Sequence, residues 1–202
     1  MRRGAPGKGG APRSSNTRHP HILGIDDAPF DKHQDALVPV VGVMMEGAVV
    51  VESVAIGAFP VDGDDATAYL SQWIADFRFF QAVQAVILGG VTIAGLGLVD
   101  VGRLSRELGL PVLVVTRHSP RGSELERALR AAGLTDRLPI LERCPPAVCM
   151  AEGLYVAHAG IEAEDATRLL LGTLGKSRLP EPLRVAHLIG RAVVMGESRG
   201  RV

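Results

Sequence analysis

Ile22-Leu23-Gly24-Ile25-Asp26-Asp27, then Val38-Pro39-Val40-Val41-Gly42-Val43-Met44-Met45, then the valine-rich run from Val49 to Phe59, decide the fold. Each run is apolar and rich in β-branched residues. Turn residues follow each one: Pro29 soon after the first, Glu46-Gly47 after the second, and Pro60-Val61-Asp62-Gly63-Asp64 after the third. The pattern predicts three adjacent strands in a meander, the first ending on two carboxylates. Ala66, Tyr69, Leu70, Trp73, Ile74, Phe77 and Phe80 then recur at helical spacing, so a helix with one apolar face is expected over residues 66–80. Asp64 or Asp65 supplies its N-cap oxygen. Further along, Ala85 to Leu88 reads as a buried strand closed by Gly89-Gly90, and residues 98–108 as a helix with Asp100 as its cap. Pro111 to Thr116 reads as another buried strand, and Glu124 to Ala132 as a helix ended by Gly133. Residues 135–160 carry only weak signals, Asp165 to Leu174 is helical, and Pro180-Glu181-Pro182 precedes a last apolar helix from about Leu183 to Met195. A strand meander followed by strand–helix alternation predicts an α/β domain, a mixed five-stranded sheet with helices on both faces.

Composition agrees with one such domain. The chain has 202 residues, 47% of them hydrophobic and 22% charged, which supports a sizeable core. No apolar run approaches the ~20 residues of a membrane-spanning helix. The formal net charge is zero, yet it is unevenly spread. Residues 1–21 hold Arg2, Arg3, Lys8, Arg13 and Arg18 and no acid, a local +5, which leaves 17 basic and 22 acidic residues in a body of −5. That leading segment is rich in Gly, Pro, Arg and Ser, so a disordered basic tail is expected at 1–21 and a single domain at 22–202. The tail reads as a phosphate-binding arm or as a solvated leader. No apolar stretch follows Arg2-Arg3, which argues against an export signal. Cys144 and Cys149 are too few for a disulfide framework and lack a second pair for zinc. A cytoplasmic protein with no membrane partner is expected.

Three constellations carry chemistry. Gly24-Ile25-Asp26-Asp27 places carboxylates at a buried strand end, where a hard cation such as Mg²⁺ takes oxygen ligands; a turn in which both side chains bond the local backbone is the plainer alternative. Asp62-Gly63-Asp64-Asp65-Ala66-Thr67 crowds three acids before a helix, and Glu164-Asp165-Ala166-Thr167 repeats its end, so one copy at least is expected to be only a cap. The segment Gly89-Gly90-Val91-Thr92-Ile93-Ala94-Gly95-Leu96-Gly97 lacks the Lys-Ser/Thr of a P-loop but lets another chain approach closely. In the last helix Arg184 and His187 are three apart and share a face, His187 being either a partly buried core residue or a group delivered to the acidic cleft.

Arg178-Leu179-Pro180-Glu181-Pro182-x-Arg184-x-Ala186 resembles the C-terminal signature of endonuclease V, a repair nuclease that nicks DNA near deaminated bases. Gly24-Ile25-Asp26 resembles that family's first metal-binding Asp, and Asp65 falls where it carries a Glu at the start of its first long helix. A closer resemblance, over about residues 20–195, is to the archaeal endonuclease dU family. It rests on Gly-Ile-Asp-Asp-x-Pro-Phe at 24–30, Asp-Gly-x-Asp-Ala-Thr at 62–67, Gly-x-Thr-x-Ala-Gly at 90–95 and Leu-Pro-Glu-Pro-Leu-Arg-x-Ala-His-Leu-Ile at 179–189. The element order is also that of the ribonuclease H-like fold. The resemblance implies a metal-dependent endonuclease acting on DNA with a deaminated base, deoxyuridine by likeness to the closer family. It implies Asp26 and Asp65 as holders of one or two Mg²⁺ (or Mn²⁺) ions, with Asp27 and His187 completing the shell or positioning the water. Gly90, Thr92, Gly95, Arg178 and Arg184 are then expected along the DNA strand. Two positions depart from endonuclease V, which has Asp where this chain has Gly89-Gly90 and again where it has His187; imidazole suits Mn²⁺ better than Mg²⁺. Two other readings stand beside this one: a non-catalytic nucleic-acid-binding module with an eroded metal site, and an enzyme binding a small nucleotide on the glycine segment.

Overall fold

The computed structural model describes residues 19–117, 122–151 and 153–199, so all but the last three residues of the expected basic tail lie outside the described residues. β1 (His21–Asp27), β2 (Leu37–Glu46) and β3 (Val50–Pro60) form the antiparallel meander. β4 (Ala85–Leu88) and β7 (Val112–Thr116) join parallel to β1, with a small hairpin of β5 (Thr92–Ile93) and β6 (Gly97–Leu98) between them in the chain. β8 (Val148–Ala151) and β9 (Leu154–Ala159) complete a seven-stranded sheet in the order β3-β2-β1-β4-β7-β9-β8.

The five expected strands are all present, and β8 and β9 correct the count to seven. Their signal is faint because β8 is four residues long and largely solvated, and β9 alternates only over Leu154 and Val156 before His158 interrupts it. Pairing with β7 from Val112–Ala159 to Thr116–Tyr155 supplies the stability that local pattern does not.

Among the described residues there are six α-helices: α1 (Ala66–Ala75), α2 (Val101–Leu108), α3 (Gly122–Ala131), α4 (Leu138–Arg143), α5 (Ala163–Gly172) and α6 (Glu181–Met195). α1 is shorter than its apolar face. It ends at Asp76, whose N–H donates back to Gln72 and Ile74, and the expected continuation to Phe80 passes instead through a bend into a 3₁₀ turn at Phe80–Ala82. Asp100 caps α2 as expected, its carboxylate accepting the Arg103 N–H at 2.8 Å.

The two-residue period of the strands sorts the core. Leu23, Ile25, Val86, Leu88, Val112 and Val114 pack with α1 and α2, while Ile22, Ile87, Leu113 and Val115 pack with α5 and α6. Helices therefore lie on both faces. Each fully buried Ile or Leu contributes about 1.5–3 kcal/mol, so the central strands β1, β4 and β7 anchor everything placed at their ends. No helix among the described residues is long and apolar enough to cross a membrane.

Candidate functional site

The site is built where α6 lies on β1. Gly24 makes the approach possible: a Cβ there would come within 2.6 Å of Pro182 Cβ and 2.7 Å of Leu183 N. Gly190 does the same at the far end, where a Cβ would meet Ala28 at 3.2 Å. Four strand steps from 24 to 28 span ~13 Å and eight helical steps from 182 to 190 span ~12 Å, so α6 runs alongside β1 in matched register. Midway between the two glycine contacts stand Asp26 and His187, with His187 Nδ1 and Asp26 Oδ2 3.0 Å apart. Both side chains are partly exposed.

Across the parallel pairing, Ile25 lies beside Leu88, so Gly89 follows next to Asp26. A Cβ at Gly89 would stand 2.8 Å from Asp26 Oδ1. The position where the endonuclease V pattern has an Asp is thus the space beside this carboxylate oxygen.

Asp27 points to the opposite face, as strand alternation requires. Its Oδ2 accepts the Ala94 N–H at 2.7 Å. Burial pushes its carboxyl above the ordinary carboxylate range; the Ala94 bond works against this, and the neighbouring charge of Asp26 adds to it.

Asp27 and Asp62 pin the glycine segment between them. The β5–β6 hairpin turns through Ala94 and Gly95, both at positive φ (49° and 95°). Asp62 Oδ1 accepts the Leu96 N–H at 2.7 Å, and the Asp62 N–H donates to Ala94 O at 2.9 Å. Two loop amides that an approaching phosphate would need are therefore held by carboxylates of this chain. Arg137 closes the arrangement from a buried position. Its guanidinium donates to Leu96 O at 2.7 Å, Asp62 O at 2.8 Å and Asp64 Oδ1 at 2.6 Å. The sequence carried no sign of this, since an arginine in a weakly patterned stretch looks like a surface charge.

Asp65 has other work. Its Oδ1 caps α1 by accepting the Ala68 N–H at 3.0 Å and receives Arg103 Nη1 at 2.9 Å. This places it with α1 and α2, on the face opposite Asp26 and His187. Asp165, its counterpart in the repeated motif, lies in the first turn of α5 and pairs with Arg168 at 2.6 Å instead of capping.

The basic candidates also divide. Arg184 is held by the buried Glu181, its Nε and Nη2 donating to Oε2 at 2.8 and 2.6 Å, and this pairing raises its pKa. Arg178 is exposed, with its Nη1 near Gly153 in the β8–β9 turn, and forms no ion pair among the described residues. Gly90, between β4 and the hairpin, and Thr92, the first residue of β5, are partly exposed.

Among the described residues no group of three or more His, Cys, Asp or Glu side chains is placed to hold a metal ion. Asp26 still suits a hydrated hard cation. Mg²⁺ is commonly held by one or two carboxylates together with waters and substrate phosphates, and Asp26 Oδ1 faces the space that Gly89 leaves free.

Residues 18–194 match the family model described as Endonuclease dU. A UPF0215 protein of Methanothermobacter thermautotrophicus is 38% identical over 183 residues, covering 89% of this chain and 90% of its own. One from Thermococcus gammatolerans is 38% identical over 183 residues, covering 88% and 93%. The crystal structure of a protein of unknown function from Archaeoglobus fulgidus superposes with a TM-score of 0.79 at 32% identity, over 87% of this chain and 98% of that one. Endonuclease V of Ciona intestinalis, solved with an inosine-containing DNA, gives a TM-score of 0.58 at 16% identity, over 91% and 89%. That likeness shows a shared fold.

Proposed function

Because the chain belongs to the endonuclease dU family, we propose that it is a metal-dependent endonuclease that nicks DNA containing a deaminated base, with deoxyuridine as that base. The observation that carries this reading is the Asp26–His187 pair, placed by α6 at the exposed end of the central strand. The DNA-bound Ciona endonuclease V, on the same fold, supports DNA as the partner.

Asp26 would hold Mg²⁺ or Mn²⁺, while Asp27, turned to the opposite face, holds the hairpin through the Ala94 N–H. When bound, that cation supplies the charge that activates a water and stabilises the departing oxygen. His187 fixes the Asp26 carboxylate through Nδ1, which leaves its Nε2 edge turned away from that bond, in position to orient a water or hold a proton. The pinned hairpin and Arg137 hold the rim beside Asp27. Gly90, Thr92 and Arg178 remain the proposed contacts to the DNA strand. Gly95, Arg184 and Asp65 are proposed in supporting roles, because the hairpin turn, Glu181 and Arg103 already engage them.

The second reading, a nucleic-acid-binding module without catalysis, is favoured by Gly89 standing where a further metal-binding carboxylate would sit. Nicking of a deoxyuridine-containing DNA separates the two. We expect cleavage in Mg²⁺ or Mn²⁺, none in EDTA, and none on the matched thymidine strand. Binding without cleavage at every metal concentration would overturn the nuclease reading.

A further inference from the structure

Six of the chain's eight aromatic residues fall between residues 59 and 80. They do not all belong to the core. Phe59, Tyr69, Trp73 and Phe77 form a ladder of ring contacts along α1, ending with Trp73 and Phe77 edge to face at 5.6 Å. Phe79, just beyond, is 50% exposed and joins none of these ring contacts. Between this ladder and β3 lies a hollow of about 340 Å³, bounded by Trp73, Phe77, Phe79, Ala55, Asp76 and Arg78.

The rim of the hollow is polar in a particular way. Asp76 Oδ1 takes the Gln72 amide at 2.9 Å, leaving its second oxygen open, and Arg78 forms no ion pair or hydrogen bond among the described residues. Flat aromatic walls, a carboxylate acceptor and an uncommitted guanidinium thus converge on one cavity. β3 is also the outermost strand of the sheet, so the hollow opens past a free edge. A nucleobase fits each element: its π-face stacks on aromatic rings whatever its identity, a ring N–H donates to a carboxylate, and an attached phosphate meets a guanidinium.

We propose that this hollow is a nucleobase-binding site, taking one base with its phosphate from a single strand or from a free nucleotide. The choice of a nucleotide over another planar anion rests on the nuclease reading above. The site is separate from the reacting centre. Ala55 in its wall pairs with Gly42, and Gly42 with Ile25, so the hollow lies two strands from β1 and on the face opposite Asp26 and His187. It holds a base away from the phosphate that is cut.

Trp73 is the single tryptophan of the chain, so its fluorescence reports the hollow directly. The full-length protein is titrated in EDTA, where no metal-dependent cleavage intervenes, with a dodecamer of thymidylate, an equally charged strand of abasic sites, and thymidine monophosphate. The thymidylate strand quenches Trp73 saturably and the abasic strand does not; quenching by the mononucleotide as well assigns the site to a free nucleotide's base and phosphate. Phe79→Leu, which keeps apolar volume but removes the aromatic face, weakens binding at least about fivefold. Arg78→Gln weakens it and flattens its salt dependence. Equal quenching by the abasic strand, or wild-type affinity in both variants with unchanged circular dichroism, overturns the proposal. A protein that nicks deoxyuridine DNA without quenching refutes this site alone, and one that quenches but never nicks refutes the nuclease reading alone.

Discussion

Replacing Gly24 by alanine tests the contact on which the whole site depends. The added Cβ would stand 2.6 Å from Pro182 Cβ and 2.7 Å from Leu183 N, whereas carbon atoms in ordinary contact are ~3.5–4.0 Å apart. Pro182 and Leu183 are buried, and one of the atoms met is backbone, so no flexible side-chain tip can swing aside. α6 must retreat from β1 by about 1 Å. Overpacking of this kind costs about 1–3 kcal/mol, and the lost backbone freedom of the unfolded chain returns about 0.4–1 kcal/mol of it. A net loss of about 1–2 kcal/mol, with an m-value near 2 kcal/mol/M, lowers the urea midpoint by about 0.5–1 M. Gly172→Ala is the control, because a Cβ there meets nothing within 4 Å and the midpoint should hold or rise. The retreat also stretches the 3.0 Å Asp26–His187 bond, so nicking should fall in Gly24→Ala beyond what the unfolded fraction explains. Equal midpoints for the two glycine variants would refute the reasoning.

Other consequences follow from the same geometry. Arg137→Met removes donors to Leu96 O and Asp62 O and should cost about 2–4 kcal/mol in thermal or urea unfolding, with little of this from the exposed Asp64; Arg137→Lys should lose less. In EDTA, Asp27→Asn should raise the melting temperature at pH 7. Burial lifts the folded-state pKa of Asp27 above the 3.8 of the unfolded chain, so stability falls as pH rises through the interval between the two, and the variant's advantage should vanish below pH 3.8; an advantage constant across pH would contradict the burial of a charged carboxylate. Thiol titration at pH 8 should count one fast cysteine, the exposed Cys149. The Cys144 thiol is pushed up to about 11 by burial and by Asp100, so roughly one molecule in a thousand carries its thiolate, and two equally fast thiols would contradict this.

Much of this was legible in the chain. The strand ending on Asp26 and Asp27 and the proline-broken start of α6 are local patterns, and local patterns survive folding. The two-residue period alone separates Asp26 from Asp27, since neighbours on a strand face opposite ways. What could not be read was pairing over distance. Asp26 and His187 are 161 residues apart, and their meeting depends on the absence of side chains at Gly24 and Gly190. Arg137 is invisible for the same reason, because its acceptors lie 41 to 75 residues away. Asp65 falls at a metal-ligand position by resemblance alone, and only the packing of α1 against α2 brings Arg103 to the oxygen that also accepts the Ala68 N–H.

The most direct test compares Asp26→Asn with Asp65→Asn in nicking of deoxyuridine-containing DNA with Mg²⁺ or Mn²⁺. Asparagine caps a helix about as well as aspartate, so Asp65→Asn keeps α1 intact while removing the charge. Asp26→Asn should lose cleavage by roughly a hundredfold or more, since it removes the charge that would hold the cation, and Asp65→Asn should stay within a few-fold of wild type. Full activity in Asp26→Asn, or equal loss in both, would contradict a reacting centre built on Asp26 and His187.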